Sequence, residues 1–152
     1  MPRIVREADV TWVGSMARGS GALTAASSGA FVALPYSLPS RIGNPEGKTS
    51  PEELLAAAHG GCFTMSLATE LSAAGTPPEQ LDVRCTITMD EVEGKGHQIV
   101  GSVLVVHASG PGIDEASLAE ASAAADAGCS FSVMLVAAGV KVEITTTTGG
   151  NA

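Results

Sequence analysis

The sequence predicts an α+β fold, and three observations predict it. Strand-like and helix-like segments gather in runs instead of alternating regularly, which disfavours a doubly wound sheet. The run SPEELLAAAHGGCFTMSLATELSAAG carries both a start and a stop signal for one long helix. The closing VKVEITTT is rich in the β-branched residues that suit strands. At 152 residues the chain has the length of one domain, expected to span residues 1–152.

The elements follow in order. Residues 10–13 and 21–25 read as strands separated by the glycine- and serine-containing turn GSMARGSG. Residues 30–34 are expected as a third strand, ended by Pro35. The segment PYSLPSRIGNPEGKTS, with three prolines and two glycines, reads as a long loop of the kind that often lines a site. Ser50 then suits an N-cap, Pro51 the first helical position and Glu53 a capping box, while Glu52 and Glu53 favour the positive end of the helix dipole. Leu54, Leu55, Ala58, Phe63, Met65, Leu67 and Leu71 surround this helix, so it is expected to be buried on most sides. Gly75 and the Pro77-Pro78 pair stop it. Strands resume at LDVRCTITMDEV and HQIVGSVLVVHAS around the turn EGKG; PGIDEASLAEASAAADAG reads as a second helix, and a third begins near Ser130.

Composition narrows the partners. With 45% hydrophobic and only 3% aromatic residues, the core is built from Ala, Val, Leu, Ile and Met, and few rings are left to stack on bases. A formal net charge of −8 argues against nucleic acid and against an anionic membrane surface. No apolar stretch reaches the ~18 residues of a membrane span. The start, MPRIVREADV, lacks a signal peptide's apolar region, so the expected compartment is the cytoplasm, where thiols stay reduced.

Cysteines 62, 85 and 129 form neither a CxxC motif nor a zinc-finger spacing. A reactive thiol needs a nearby cation or a helix amino end to stabilise its thiolate. Cys129 follows Gly128 at a predicted helix start, so the physics of the sequence favours it as the more acidic thiol; apolar burial raises the pKa of Cys62. Cys85 alternates with Arg84 along a strand and reads as core. Among the eight cations, Arg18 in the MARGSG turn and Arg41 in the LPSRIG loop are the two candidates to support a thiolate. His59 and Cys62 stand one helical turn apart, as metal-binding pairs sometimes do, but two ligands are too few.

The run SPEELLAAAHGGCFTMSLATEL resembles the central helix of the OsmC/Ohr family of thiol peroxidases, in its OsmC-like branch. ADVTWVG, PGID and AGCSFSVML extend the likeness over about residues 8–147. The resemblance implies an intertwined homodimer with antiparallel sheets wrapped around central buried helices, and no metal or organic cofactor. It implies that Cys62 is the peroxidatic thiolate that attacks an organic hydroperoxide and becomes a sulfenic acid. Cys129 would be the resolving thiol that closes a disulfide with it, and a small dithiol of lipoyl type would reduce that disulfide. Arg41 matches the loop arginine that stabilises the thiolate and Glu52 the acid that orients it, with Arg18 in reserve. Where the family usually has proline after its second cysteine, this chain has Ser130, which would supply a capping hydroxyl to the following helix. A non-catalytic redox-sensing or hydrophobic-ligand-binding dimer on the same scaffold is the alternative.

Helix geometry adds a constraint. In one straight helix Glu52 and Cys62 stand ~15 Å apart along the axis and cannot hold the same arginine. Either the helix breaks near Gly60-Gly61 or Glu52 serves a site across a dimer interface; the second is expected.

Overall fold

The structure, a computed structural model, describes residues 2–149. Met1 and residues 150–152, which the single-domain expectation includes, lie outside the described residues. The chain divides into two compact units, Met1–Pro51 and Glu52–Ala152.

The first unit is a three-stranded antiparallel sheet in the order β1 (Asp9–Val13), β2 (Ser20–Thr24), β3 (Leu34–Tyr36). The third strand begins where the sequence was expected to end it, and it contains Pro35. Its position at the sheet edge explains the tolerance, since an edge residue can lack an N–H on its open side. Residues 30–33 instead carry the chain back, with Ala33 at positive φ and its N–H donated to the Thr24 Oγ1. Gly21 is dictated by packing, because a Cβ there would collide with the Tyr36 ring. The expected long loop contains a short helix, α1 (Leu38–Ile42), that the sequence reading missed. Its signal was the Ser37/Ser40 pair, which closes a reciprocal capping box, with Pro39 in the first turn.

The second unit starts with α2 (Pro51–Ala73) as an unbroken helix of 23 residues; Pro51 belongs by itself to the first unit's count of residues. Gly60 and Gly61 do not interrupt it. Gly60 lies against β4 (Gln80–Val92), where an added Cβ would come within 3.2 Å of the Cys85 Cβ, so the small residue serves close helix–strand packing. Among the described residues nothing beyond its own helix stands within 4 Å of the corresponding position at Gly61. Beyond α2, Gly75 takes the positive φ that ends the helix.

β4 pairs antiparallel with β5 (Gly96–Ser109), and β5 pairs parallel with β6 (Lys141–Thr148). The antiparallel expectation holds for every pairing except this last one. A parallel return needs a long crossover, here α3 (Glu115–Gly128) and α4 (Ser130–Ala137). Asp114 caps α3 in a reciprocal box with Ser117, which confirms the start read from PGID.

The core forms where three stripes meet. Phe63, Leu67 and Leu71 supply one from α2, Leu104, Val106 and Ala108 one from β5, and Leu118, Ala121 and Ala125 one from α3. On α2 this is a single line of residues four apart, and its next member towards the amino end is His59. The expectation of a helix buried on most sides is not met within one chain: Met65 is 74% exposed and Leu54 and Leu55 are half-buried. Within the unit only one face of α2 has the sheet and α3 to pack against.

Candidate active site

Two of the three cysteines come together in the second unit. Cys62 sits on α2 immediately before the core residue Phe63, so it lies at the border of the buried stripe and is half-buried. Cys129 lies at the junction of α3 and α4 as the N-cap of α4, and it extends the α3 apolar stripe into the core with no exposure. The Ser130 Oγ, on the residue that follows Cys129, stands 3.7 Å from the Cys62 Sγ, and the Cys129 thiol favours the Cys62 thiolate. All three cysteines are free thiols.

The electrostatics reverse the order of acidity read from the sequence. Burial opposes ionisation of Cys62, but the Cys129 thiol, the Ser130 hydroxyl and the backbone N–H groups of Phe131 and Ser130 together hold its pKa below the ordinary thiol value. Burial raises the pKa of Cys129, and its role as donor to Cys62 adds to the rise; nearby N–H groups of Ser132 and Phe131 and the Ser132 hydroxyl oppose it without prevailing. Cys129 makes no cap hydrogen bond of regular geometry. The amino end of α4 therefore does acidify a cysteine, as the sequence suggested, but the beneficiary is Cys62 on another helix. Cys129 occupies the cap position and pays for it in lost hydration.

Ser130 departs from its expected role in the same way. The hydroxyl does not cap α4, whose N-cap is Cys129; it faces the Cys62 sulfur. Replacing it is expected to weaken the thiolate. In Ser130→Ala the midpoint of Cys62 alkylation against pH should move up, and the rate at neutral pH should fall by about three- to tenfold. That is less than the ~1.5–3 kcal/mol of a short hydrogen bond to a charged group, because this contact is long. Iodoacetamide labelling followed by peptide mass analysis measures it, and an unchanged midpoint would remove Ser130 from the site.

Glu52 occupies the first turn of α2, ~15 Å along the helix axis from Cys62. With α2 unbroken, one of the two expected solutions, a break at the glycines, is excluded. Arg41 is in the last turn of α1 and lines a cavity of 260 Å³ with Trp12 and Tyr36, whose rings are 5.5 Å apart. Arg18 lines a separate cavity of 380 Å³ with Ser40, Glu46 and Lys48. Both arginines belong to the first unit and both cysteines to the second. A groove of 1070 Å³ runs beside α2, lined by Gly60, Gly61 and Met65 on the helix and by Val83 and Cys85 on β4.

Sequence reasoning missed a buried polar cluster next to the thiols. His59 is fully buried, with Nδ1 2.7 Å from the Ser102 Oγ and Nε2 2.8 Å from the Ser132 Oγ. Both ring nitrogens are engaged, so the HxxC pair has no lone pair free for a metal. Burial lowers the pKa of His59, offset in part by the charge of Asp126. Cys85 reads as core, as expected, with its Sγ 3.5 Å from the Ser102 Oγ and 3.8 Å from the His59 Nδ1. The one available signal was the position of His59 in line with Phe63, Leu67 and Leu71; the serines gave none.

An α+β fold with two neighbouring thiols, one with a lowered pKa and one buried, defines a dithiol protein. The chain belongs to the family of OsmC-like proteins, whose sequence profile matches residues 43–145 and so spans the boundary between the two units. It is 34% identical over 142 residues to the Peroxiredoxin OsmC of Escherichia coli strain K12 and to that of Shigella flexneri, covering 93% of this chain and 94% of each relative. Among solved structures, OhrB of Bacillus subtilis, an organic hydroperoxide resistance protein, superposes with a TM-score of 0.73 at 23% identity, over 93% of this chain and 98% of that one. An OsmC-like protein of unknown function from Vibrio cholerae gives a TM-score of 0.76 at 14% identity, over 95% of this chain and all of the other (100%). These likenesses bear out the α+β fold and the OsmC/Ohr resemblance. Among the described residues, no helix is long and apolar enough to cross a membrane.

Proposed function

We propose that this chain is a cysteine-based peroxidase that reduces organic hydroperoxides, working as a single OsmC-like domain in a homodimer. The observation that carries the reading is a half-exposed Cys62 whose pKa is held down beside the amino end of the helix that buried Cys129 caps. The names of the relatives, Peroxiredoxin OsmC, support the same activity. In the first step the Cys62 thiolate attacks the O–O bond; the sulfur gains a hydroxyl as sulfenic acid, and the alkoxide leaves as an alcohol after taking one proton. In the second, the Cys129 sulfur displaces that hydroxyl as water and forms the Cys62–Cys129 disulfide. A small dithiol, of lipoyl type, then supplies two electrons and two protons and is itself oxidised to a disulfide.

Arg41 is the guanidinium assigned to the thiolate and to the charge that develops as the O–O bond breaks, with Arg18 as the alternative. Glu52 orients that arginine from the partner subunit, a solution favoured by the unbroken α2. The exposed apolar side chains of Met65 on α2 and of Val133, Met134 and Val136 on α4 support burial against a second copy.

Mass spectrometry tests the cycle and the assembly on one sample. After one equivalent of cumene hydroperoxide, the denatured chain is expected to have lost two hydrogens, with the bond mapped to Cys62 and Cys129. Native spectra of the same sample should show two chains per particle. A chain that keeps its mass, or a disulfide that includes Cys85, would overturn the cycle; a monomer would overturn the shared site.

A further inference from the structure

The second step of that cycle has a difficulty of its own. Cys129 must lose its proton to become a nucleophile, yet it is fully buried, so no solvent reaches the sulfur to take it. The structure holds a connected route instead. Ser132 stands one turn into α4 from Cys129, and its hydroxyl favours the Cys129 thiolate. The same hydroxyl is 2.8 Å from the His59 Nε2, and the far side of the ring is fixed by the Ser102 Oγ at 2.7 Å from Nδ1. His59, Ser102 and Ser132 are all buried.

We propose that Ser132 and His59 form a buried relay that takes the proton from Cys129 as it attacks oxidised Cys62. This inference rests on the peroxidase reading above. The Cys129 proton passes to the Ser132 Oγ while the Ser132 proton passes to the His59 Nε2. The electron pair left on the Cys129 sulfur forms the S–S bond, the Cys62 S–O bond breaks, and the departing hydroxide becomes water with a proton from solvent at half-exposed Cys62. When a dithiol later reduces the disulfide, Cys129 leaves as a thiolate and recovers its proton by the reverse path. In the relay Ser132 is the group that receives the proton from the reacting sulfur; His59 acts through it and is a positioning residue.

The groups that face His59 fit this role. From β5, the Ser102 Oγ lies 2.7 Å from Nδ1; in the relay Ser102 accepts the Nδ1–H and Nε2 is the acceptor towards Ser132. From β4, the Cys85 Sγ lies 3.8 Å from Nδ1. From α3, the charge of Asp126 favours the imidazolium, and its Oδ1 is buried with no hydrogen-bond partner of its own. Burial otherwise keeps the imidazole neutral and able to accept a proton at neutral pH. A histidine kept only for packing would need neither a hydroxyl on the helix that Cys129 caps nor the charge of a nearby carboxylate.

The experiment separates the two steps. Rapid-quench mass spectrometry after one equivalent of cumene hydroperoxide follows Cys62 oxidation and disulfide closure independently, across pH, in the wild type, His59→Gln and Ser132→Ala. In the wild type, closure should slow as the pH falls through the lowered His59 value, because a protonated ring accepts nothing. In both variants closure should slow by roughly 10²-fold at neutral pH, the acid limb should vanish, and the rate of Cys62 oxidation should stay within twofold. Ser132→Ala removes one oxygen from a helix and keeps the test open should His59→Gln fail to fold. Closure in folded Ser132→Ala within twofold of wild type, with the acid limb intact, would overturn the relay alone. Equal slowing of both steps would also overturn it, by pointing to a structural role. A wild type that forms no Cys62–Cys129 disulfide would overturn the cycle and the relay together.

Discussion

Cys62→Ser is expected to leave a folded protein that consumes organic hydroperoxide no faster than buffer. The fold has little reason to suffer, because Cys62 borders the core stripe while Phe63, Leu67 and Leu71 carry it. The chemistry has every reason to stop. A serine hydroxyl ionises far less readily than a thiol, and oxygen cannot traverse the sulfenate and disulfide states. Peroxide consumption in the presence of a dithiol reductant, with circular dichroism as the control for folding, measures the effect. Turnover above a tenth of wild type would mean that another group attacks the peroxide, and Cys85, close to the His59 ring, would become the candidate.

Cys129→Ser is expected to separate the first step from the rest. Cys62 should still be oxidised once, because its half-exposure is untouched and the backbone N–H groups of Ser130 and Phe131 still favour its thiolate. The sulfenic acid then has no buried thiol to trap it. Under excess hydroperoxide it should advance to the sulfinic acid, seen as two added oxygens on the Cys62 peptide, and turnover should die after the first cycle. The wild type under the same conditions should accumulate the disulfide instead. Equal overoxidation of the two proteins would show that Cys129 does not resolve the sulfenate.

Much of the fold was legible because its signals are local. The start of α2 at Pro51, its stop before Gly75, the Asp114 cap of α3 and the strands β4, β5 and β6 all follow from residues within a few positions of each boundary. The two errors in the first unit have the same root. Pro35 ends a strand in isolation but fits one at a sheet edge, and the Ser37–Ser40 box that makes α1 was hidden among prolines that suggested loop. The parallel placement of β6 was not legible either, since strand direction depends on where the α3–α4 crossover delivers the chain.

The sequence by itself determined most of the elements and the family likeness, because each is written in short motifs. Only the tertiary structure decided which thiol is acidic. Sequence adjacency assigned the α4 amino end to Cys129, but packing turns that sulfur into the core, and the Ser130 and Phe131 N–H groups favour the Cys62 thiolate instead. It also decided that His59 meets Ser102 and Ser132, residues far from it in the chain. A pKa depends on distance and hydration, and neither exists until the helices and the sheet have closed around the group.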